Sequence, residues 1–115
     1  IAYAPEEKLL FVVSQGTDNL QILDATDGKL KADVKVGAGP LAVVWEPVRK
    51  LAYVANRGSD SVAVVDVNGN LVANLPGGSY ANHVFTDGKG TVWSVNKARG
   101  LNDPQGDHIS RYAAK

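Results

Sequence analysis

The chain has no cysteine, no methionine, no net charge and no long hydrophobic run. Without cysteine it has no disulfides, thiolate metal ligands or cysteine nucleophiles. Twelve basic residues balance twelve acidic ones, which argues against a large basic surface for duplex nucleic acid. No apolar run approaches the roughly 18 residues of a membrane-spanning helix, so we expect no membrane span. The chain starts at Ile1 with no signal-like stretch, and we interpret it as a piece of a longer protein.

An internal repeat organises the 115 residues, of which 44% are hydrophobic. The segment "KLLFVVSQGTDNLQILD" (8–24) aligns with "KLAYVANRGSDSVAVVD" (50–66) at an offset of 42. A third copy begins with "TVWSVNKARG" (91–100), is interrupted by "LNDPQG", and resumes as "DHISRY". A period of about 40 residues predicts stacked copies of one supersecondary unit.

Each unit has the pattern of short β-strands, rich in Val and Ile and bounded by Gly, Asp and Asn. We predict an all-β fold of four-stranded antiparallel blades, covering 1–38, 39–78 and 79–115, the last with a loop insertion and no fourth strand. The Asp-Gly and Asn-Gly pairs favour type I′ turns between the third and fourth strands. Asp24 and Asp66, which end the third strands, are better explained as turn-forming residues than as a catalytic pair.

The stretch "PLAVVWEPVRKLAYVANRGSDSVAVVD" resembles the YVTN-repeat β-propeller family, and the interrupted last unit resembles its YncE-like subfamily of bacterial periplasmic propellers. This resemblance implies a fragment of a seven-bladed propeller that is periplasmic or secreted and has no bound cofactor. Three blades cannot close a ring of about four to eight. We therefore expect the chain to associate through exposed blade faces, or to pack on further parts of its parent chain.

Candidate binding residues gather where the links between units meet the loops between second and third strands, because loops on a rigid scaffold often carry function. Ser14 and Gln15 belong to this loop face. The candidate ligand-binding residues are Asn56, Arg57, Tyr80, Asn82, His83, Asn96, Lys97 and Arg99. An alternative role for the Asn residues at 56 and 96 is to shape turns, since Asn tolerates left-handed backbone.

The third unit places Asn82 and His83 in or beside its innermost strand. A histidine facing the channel could act as a base or a ligand, and the alternative is a side chain hydrogen-bonded to a backbone carbonyl. We predict no metal site, because His83 and His108 are far apart and no carboxylate stands at ligand spacing beside either. Asp103 and Asp107 of the insertion could hold a hard cation loosely, although a tolerated surface loop explains them better.

The functional hypothesis is a noncatalytic module that binds a small molecule or a protein partner at the loop face, with no catalytic residue and no cofactor motif. One alternative is a lactonase-type hydrolase, since some similar seven-bladed propellers hydrolyse lactones; His83 would be the base and Arg57 would hold an anionic substrate. Another is binding of single-stranded nucleic acid. Residues 89–115 carry five Lys/Arg and two Asp/Glu, with Trp93 and Tyr112 nearby.

Overall fold

The computed structural model describes residues 1–77, 79–97 and 108–112, which form three antiparallel sheets. The first blade contains β1 (Ala2–Ala4), β2 (Leu9–Ser14), β3 (Asn19–Asp24) and β4 (Leu30–Lys35). The middle blade contains β5 (Pro40–Glu46), β6 (Leu51–Asn56), β7 (Ser61–Asp66) and β8 (Leu71–Pro76). The third blade contains β9 (Ala81–Thr86), β10 (Val92–Asn96) and β11 (His108–Tyr112), so its described part has three strands.

The sequence repeat is also a repeat of strand pairing. Phe11 of β2 pairs with Ile22 of β3, and the equivalent Tyr53 of β6 pairs with Val64 of β7. In each complete blade the strands follow one another across the sheet in chain order. Side chains 42 residues apart therefore lie on the same face of neighbouring blades.

The blades stack face to face, with β5 packed against both β1 and β9. Between the first and middle blades, the rings of Phe11 and Trp45 stack with centroids 5.2 Å apart and planes 15° apart. The middle blade is covered on both faces, so β6 and β7 are buried almost continuously. This explains why "LAYVAN" and "SVAVVD" read as apolar runs, whereas strands with one free face alternate.

The turns between the third and fourth strands differ from the predicted type I′ form, and that prediction is wrong. Type I′ needs positive φ at both central residues, but only the glycines have it here, Gly28 at 76° and Gly69 at 86°. The Gly28 amide donates to the Asp24 carbonyl at 2.8 Å, and the Gly69 amide donates to the Asp66 carbonyl at 3.2 Å. These are longer loops that close on a left-handed glycine.

Asp24 and Asp66 hold these turns through their side chains, as predicted. The Asp24 carboxylate accepts the Thr26 amide at 2.8 Å, and this hydrogen bond lowers the pKa of Asp24. The Asp66 carboxylate accepts the amides of Asn68 and Asn70, both at 2.9 Å. The pKa of Asp66 is also lowered, chiefly by the backbone amide of Asn70. Both carboxylates therefore act as hydrogen-bond acceptors within their own turns.

The described residues contain one short 3₁₀ helix, Arg57–Ser59, between β6 and β7. Within that described part, no helix is long and apolar enough to cross a membrane.

Candidate functional site

The link between the first two blades lies directly against the loop of the middle blade. The Arg57 amide donates to the Gly39 carbonyl at 3.0 Å, and the Gly58 amide donates to the Ala38 carbonyl at 2.9 Å. A Cβ on Gly37 would overlap Ser59 Oγ and lie 2.8 Å from Cγ of the buried Asn56, so the absence of a side chain at Gly37 favours this close approach. The structure thereby confirms that links and loops meet at one end of the blades, which we call the loop face.

Two equivalent aspartates fasten each loop to the start of the next blade. Asp18 and Asp60 both have left-handed backbone, with φ of 58° and 53°. Asp18 Oδ1 accepts the amide of Gly39, and Asp60 Oδ1 accepts the amide of Tyr80, each at 2.9 Å. The signal for this role was available in the sequence, since both positions align as identical residues, but the pattern alone did not reveal which backbone amide donates to each carboxylate.

A cleft of about 220 Å³ opens at the loop face. Its lining residues come from all three blades or their links: Gln15, Gly39, Arg57, Gly58 and Tyr80. The guanidinium carbon of Arg57 lies 4.6 Å from the centroid of the Tyr80 ring, a cation–π contact. Within the described residues, Nε of Arg57 is buried and has no hydrogen-bond partner.

Tyr80 is held in place by its backbone on both sides. Its φ is 47°, an uncommon left-handed value for an aromatic residue, and its amide is bound by Asp60. Its carbonyl accepts the amide of Lys97 at 3.1 Å. The Tyr80 ring therefore covers Arg57 from a fixed position.

Asn56 and Asn96 are buried at the ends of β6 and β10. The turn-shaping alternative for them is wrong in its physical basis, because Asn56 has extended backbone (φ −98°, ψ 93°) and neither residue has positive φ. Asn56 Nδ2 donates to Ser61 Oγ at 3.2 Å, and Asn96 Nδ2 donates to Ser110 Oγ at 2.8 Å. Asn56 Oδ1 is buried and lacks a hydrogen-bond partner in the described part of the chain.

The remaining candidates lie apart from the cleft lining. His83 is exposed on β9, where it pairs with Val95, and Asn82 beside it is half-buried. Lys97 is exposed and reaches the cleft only through its backbone bond to Tyr80. Arg99, like the Asp residues at 103 and 107, lies outside the described residues, so its assignment stays a prediction. Among residues 1–77, 79–97 and 108–112, no three His, Cys, Asp or Glu side chains cluster as metal ligands.

A larger cleft of about 380 Å³ lies at the opposite end of the first and middle blades. Its lining residues are Glu7, Leu9, Lys31, Ala32, Val67 and Asn68. The Glu7 carboxylate there forms an ion pair with Lys50 at 3.6 Å. No buried polar atom without a partner occurs at this end of the described structure. The smaller cleft therefore has the stronger claim as a binding site.

Comparison with known structures decides the architecture. Hydrazine synthase from Kuenenia stuttgartiensis is similar over 83% of this chain, with a TM-score of 0.76 and 26% identity. Regucalcin, a calcium-binding protein from Agrobacterium tumefaciens, is similar over 96% of this chain, with a TM-score of 0.66 and 18% identity. Both of these neighbours are β-propeller proteins. The three sheets of this chain are therefore blades of a β-propeller.

The chain spans 28% of the hydrazine synthase chain and 43% of the regucalcin chain. It therefore corresponds to part of each neighbour, and we carry over the fold alone. No protein-family model matches the chain, and no curated protein matches it.

Proposed function

We propose that this propeller fragment is a noncatalytic binding module whose loop-face cleft takes a small anion, a carboxylate or a phosphate. The observation that carries the proposal is the buried, unpartnered Nε of Arg57 at a cleft assembled from several blades. Leaving such a donor unpaired costs about 1–3 kcal/mol, and more for a charged group. Because this atom is buried, an anion in the cleft would remove that cost once a small movement of the Arg57 side chain turned the Nε–H group toward it.

The geometry around Arg57 suits an anion better than a neutral ligand. The Tyr80 ring lies 4.6 Å from the guanidinium carbon of Arg57, and Nε of that guanidinium has no hydrogen-bond partner within the described residues. These donors match the spacing of two carboxylate or phosphate oxygens. Gly39 and Gly58 line the same cleft, and because they have no side chains the link and the loop can approach each other closely: a Cβ on Gly39 would lie 3.2 Å from the Gly58 nitrogen.

Titration of the ¹⁵N-labelled chain with inorganic phosphate, acetate and succinate tests the proposal, because the Nε–H group of an arginine gives its own NMR signal. We expect a saturable shift of the Arg57 signal, together with the amides of Gly39 and Tyr80. Arg57→Ala should abolish saturation at these amides, and Arg57→Lys should weaken it, since lysine keeps the charge but loses the planar fork.

Arg49→Ala supplies the matched control, because Arg49 is an exposed arginine at the other end of the middle blade. This variant should bind as the parent does. Shifts that follow ionic strength alone, or undiminished binding by Arg57→Ala, would contradict the proposed site.

The two alternatives from the sequence receive less support. The hydrolase hypothesis needs His83 near Arg57, but His83 is exposed on β9 and is absent from the cleft lining. The nucleic-acid hypothesis needs Trp93 beside basic residues at the loop face. Trp93 instead stacks on Phe85 within the third blade, with ring centroids 5.5 Å apart.

We further propose that the parent is a YncE-like, seven-bladed, exported propeller. Support comes from the repeat "LAYVANRGSDSVAVVD" and from the interrupted last unit. Sequencing the parent gene tests this proposal: it should encode four further repeats of about 40 residues behind an export signal. A parent with another blade number, or without an export signal, would refute it.

A further inference from the structure

Tyr80 has a backbone conformation that glycine adopts far more readily. Its φ is 47°, and Gly39, which precedes β5 as Tyr80 precedes β9, has a φ of 60°. Left-handed backbone is uncommon for residues with a Cβ and is an outlier for bulky ones, whereas glycine has no Cβ to clash. A tyrosine at this position therefore carries a steric strain that a glycine would avoid.

The backbone hydrogen bonds show that Gly39 and Tyr80 are equivalent positions in two successive junctions. The amide of each donates to the aspartate of the preceding loop at 2.9 Å. The Gly39 carbonyl accepts the amide of Arg57 at 3.0 Å, and the Tyr80 carbonyl accepts the amide of Lys97 at 3.1 Å. None of these bonds uses a side chain of Gly39 or Tyr80, so they explain the left-handed backbone but not the presence of a tyrosine.

The Tyr80 ring contacts the arginine of the proposed anion site. Its centroid lies 4.6 Å from the guanidinium carbon of Arg57, and both residues line the loop-face cleft. Arg57 belongs to a loop of the middle blade and Tyr80 to the link that follows that blade, so the fold brings them together. A cation–π contact restrains a long side chain, and a restrained side chain loses less conformational freedom when a ligand binds.

We propose that Tyr80 is a positioning residue of the loop-face cleft, whose ring holds the Arg57 guanidinium close to the orientation that binds an anion. This inference rests on the proposed anion site. Strained residues persist where the surrounding structure fixes them, and they concentrate at ligand sites. The hydrogen bonds on both sides of the Tyr80 backbone provide that fixation.

Four substitutions at Tyr80 separate the effect of the ring from that of the backbone. Tyr80→Phe keeps an aromatic ring, Tyr80→Leu keeps the bulk without a π face, Tyr80→Ala keeps only the strained Cβ, and Tyr80→Gly removes both ring and strain. We expect titrations with phosphate, acetate and succinate to show about 3- to 30-fold weaker binding for the Leu, Ala and Gly variants, the range of a lost cation–π contact. Tyr80→Phe should lose least.

Urea unfolding of the same variants gives the readout that a merely structural role would not produce. Tyr80→Gly should have a higher urea midpoint than Tyr80→Ala, because glycine accepts the positive φ. Both should nevertheless bind equally weakly, because both lack the ring. Tyr3→Ala is the matched control, since Tyr3 is a tyrosine outside the cleft lining, and it should bind as the parent does.

The ¹⁵N relaxation of Arg57 Nε in the anion-free chain measures the positioning directly. The heteronuclear NOE of this nitrogen should fall in the Leu, Ala and Gly variants and be largely kept in Tyr80→Phe, since only the aromatic ring restrains the guanidinium.

Failure of this inference is distinguishable from failure of the anion site. A parent chain that binds none of the three anions would overturn both. Binding by the parent that Tyr80→Ala and Tyr80→Gly leave unchanged would overturn the positioning role alone. Affinities that follow the urea midpoints, or an Arg57 Nε relaxation that no substitution alters, would also overturn that role.

Discussion

Replacing Asp60 with alanine is expected to destabilise the junction between the middle and third blades through two separable effects. The first is loss of the hydrogen bond from the Tyr80 amide to Asp60 Oδ1, which measures 2.9 Å. Leaving that amide without its partner costs about 1–3 kcal/mol. The second is the left-handed backbone at φ 53°, which costs an alanine about 1–2 kcal/mol.

Two further substitutions of Asp60 isolate these effects. Asp60→Gly loses the hydrogen bond but accepts positive φ, so it should lose about 1–3 kcal/mol of the free energy of unfolding. Asp60→Asn keeps an acceptor oxygen and tolerates the left-handed region, so its loss should stay near 1 kcal/mol, roughly the charge-assisted part of the bond. The expected order of stability is therefore Asp, Asn, Gly, Ala.

Urea unfolding followed by far-UV circular dichroism measures this series. Asp18 provides an internal replicate, because its φ is 58° and its carboxylate accepts the Gly39 amide at 2.9 Å. The same gap between glycine and alanine should appear there. Equal losses for Asp60→Gly and Asp60→Ala would refute the backbone argument. A loss for Asp60→Asn as large as that for alanine would refute the hydrogen-bond argument.

Three other substitutions test separate parts of the fold. Trp45→Ala should lower the free energy of unfolding by about 3–5 kcal/mol, because it removes the ring that stacks on Phe11 and leaves a cavity between the first two blades. A loss below about 1 kcal/mol would mean that this contact contributes little to the packing of the blades. Gly37→Ala should destabilise by about 1–3 kcal/mol, since its Cβ would overlap Ser59 Oγ and crowd the buried Asn56, and pairing it with Ser59→Ala should recover part of the loss. Asp66 has a lowered pKa in the folded chain, so its stabilisation is present above its unfolded pKa of about 3.9 and is lost as the pH falls through the lower folded value. The stability difference between the parent and Asp66→Asn should therefore shrink from pH 7 to pH 3, and a difference that grows on acidification would contradict the turn assignment.

Most of the fold can be predicted from the sequence, because each repeat consists of short strand and turn patterns that are recognisable locally. The 42-residue offset, the Val-rich strands and the Gly-bearing loops predict three blades, and β1 to β11 appear in the predicted order. The turn type was mispredicted because an Asn-Gly pair is compatible with several hairpin loops. Which loop forms depends on hydrogen bonds such as that from the Gly69 amide to the Asp66 carbonyl.

The candidate site was predictable only in part. The rule that links and loops share one end of a blade brought Gln15, Arg57 and Tyr80 into one group, and all three line the cleft. The same rule also included His83, whose side chain is exposed on β9. Position along a strand is a local property, but the direction of a side chain relative to a neighbouring blade is not.

The sequence by itself therefore determined the all-β architecture, the three repeated sheets within this chain and the use of aspartates in turns, because these depend on short-range periodicity and turn chemistry. Only the tertiary structure decided that Tyr80 covers Arg57 and that Asp60 holds Tyr80 in place. These contacts form between blades, where residues far apart in sequence meet. Local sequence patterns do not determine which of these residues will be in contact.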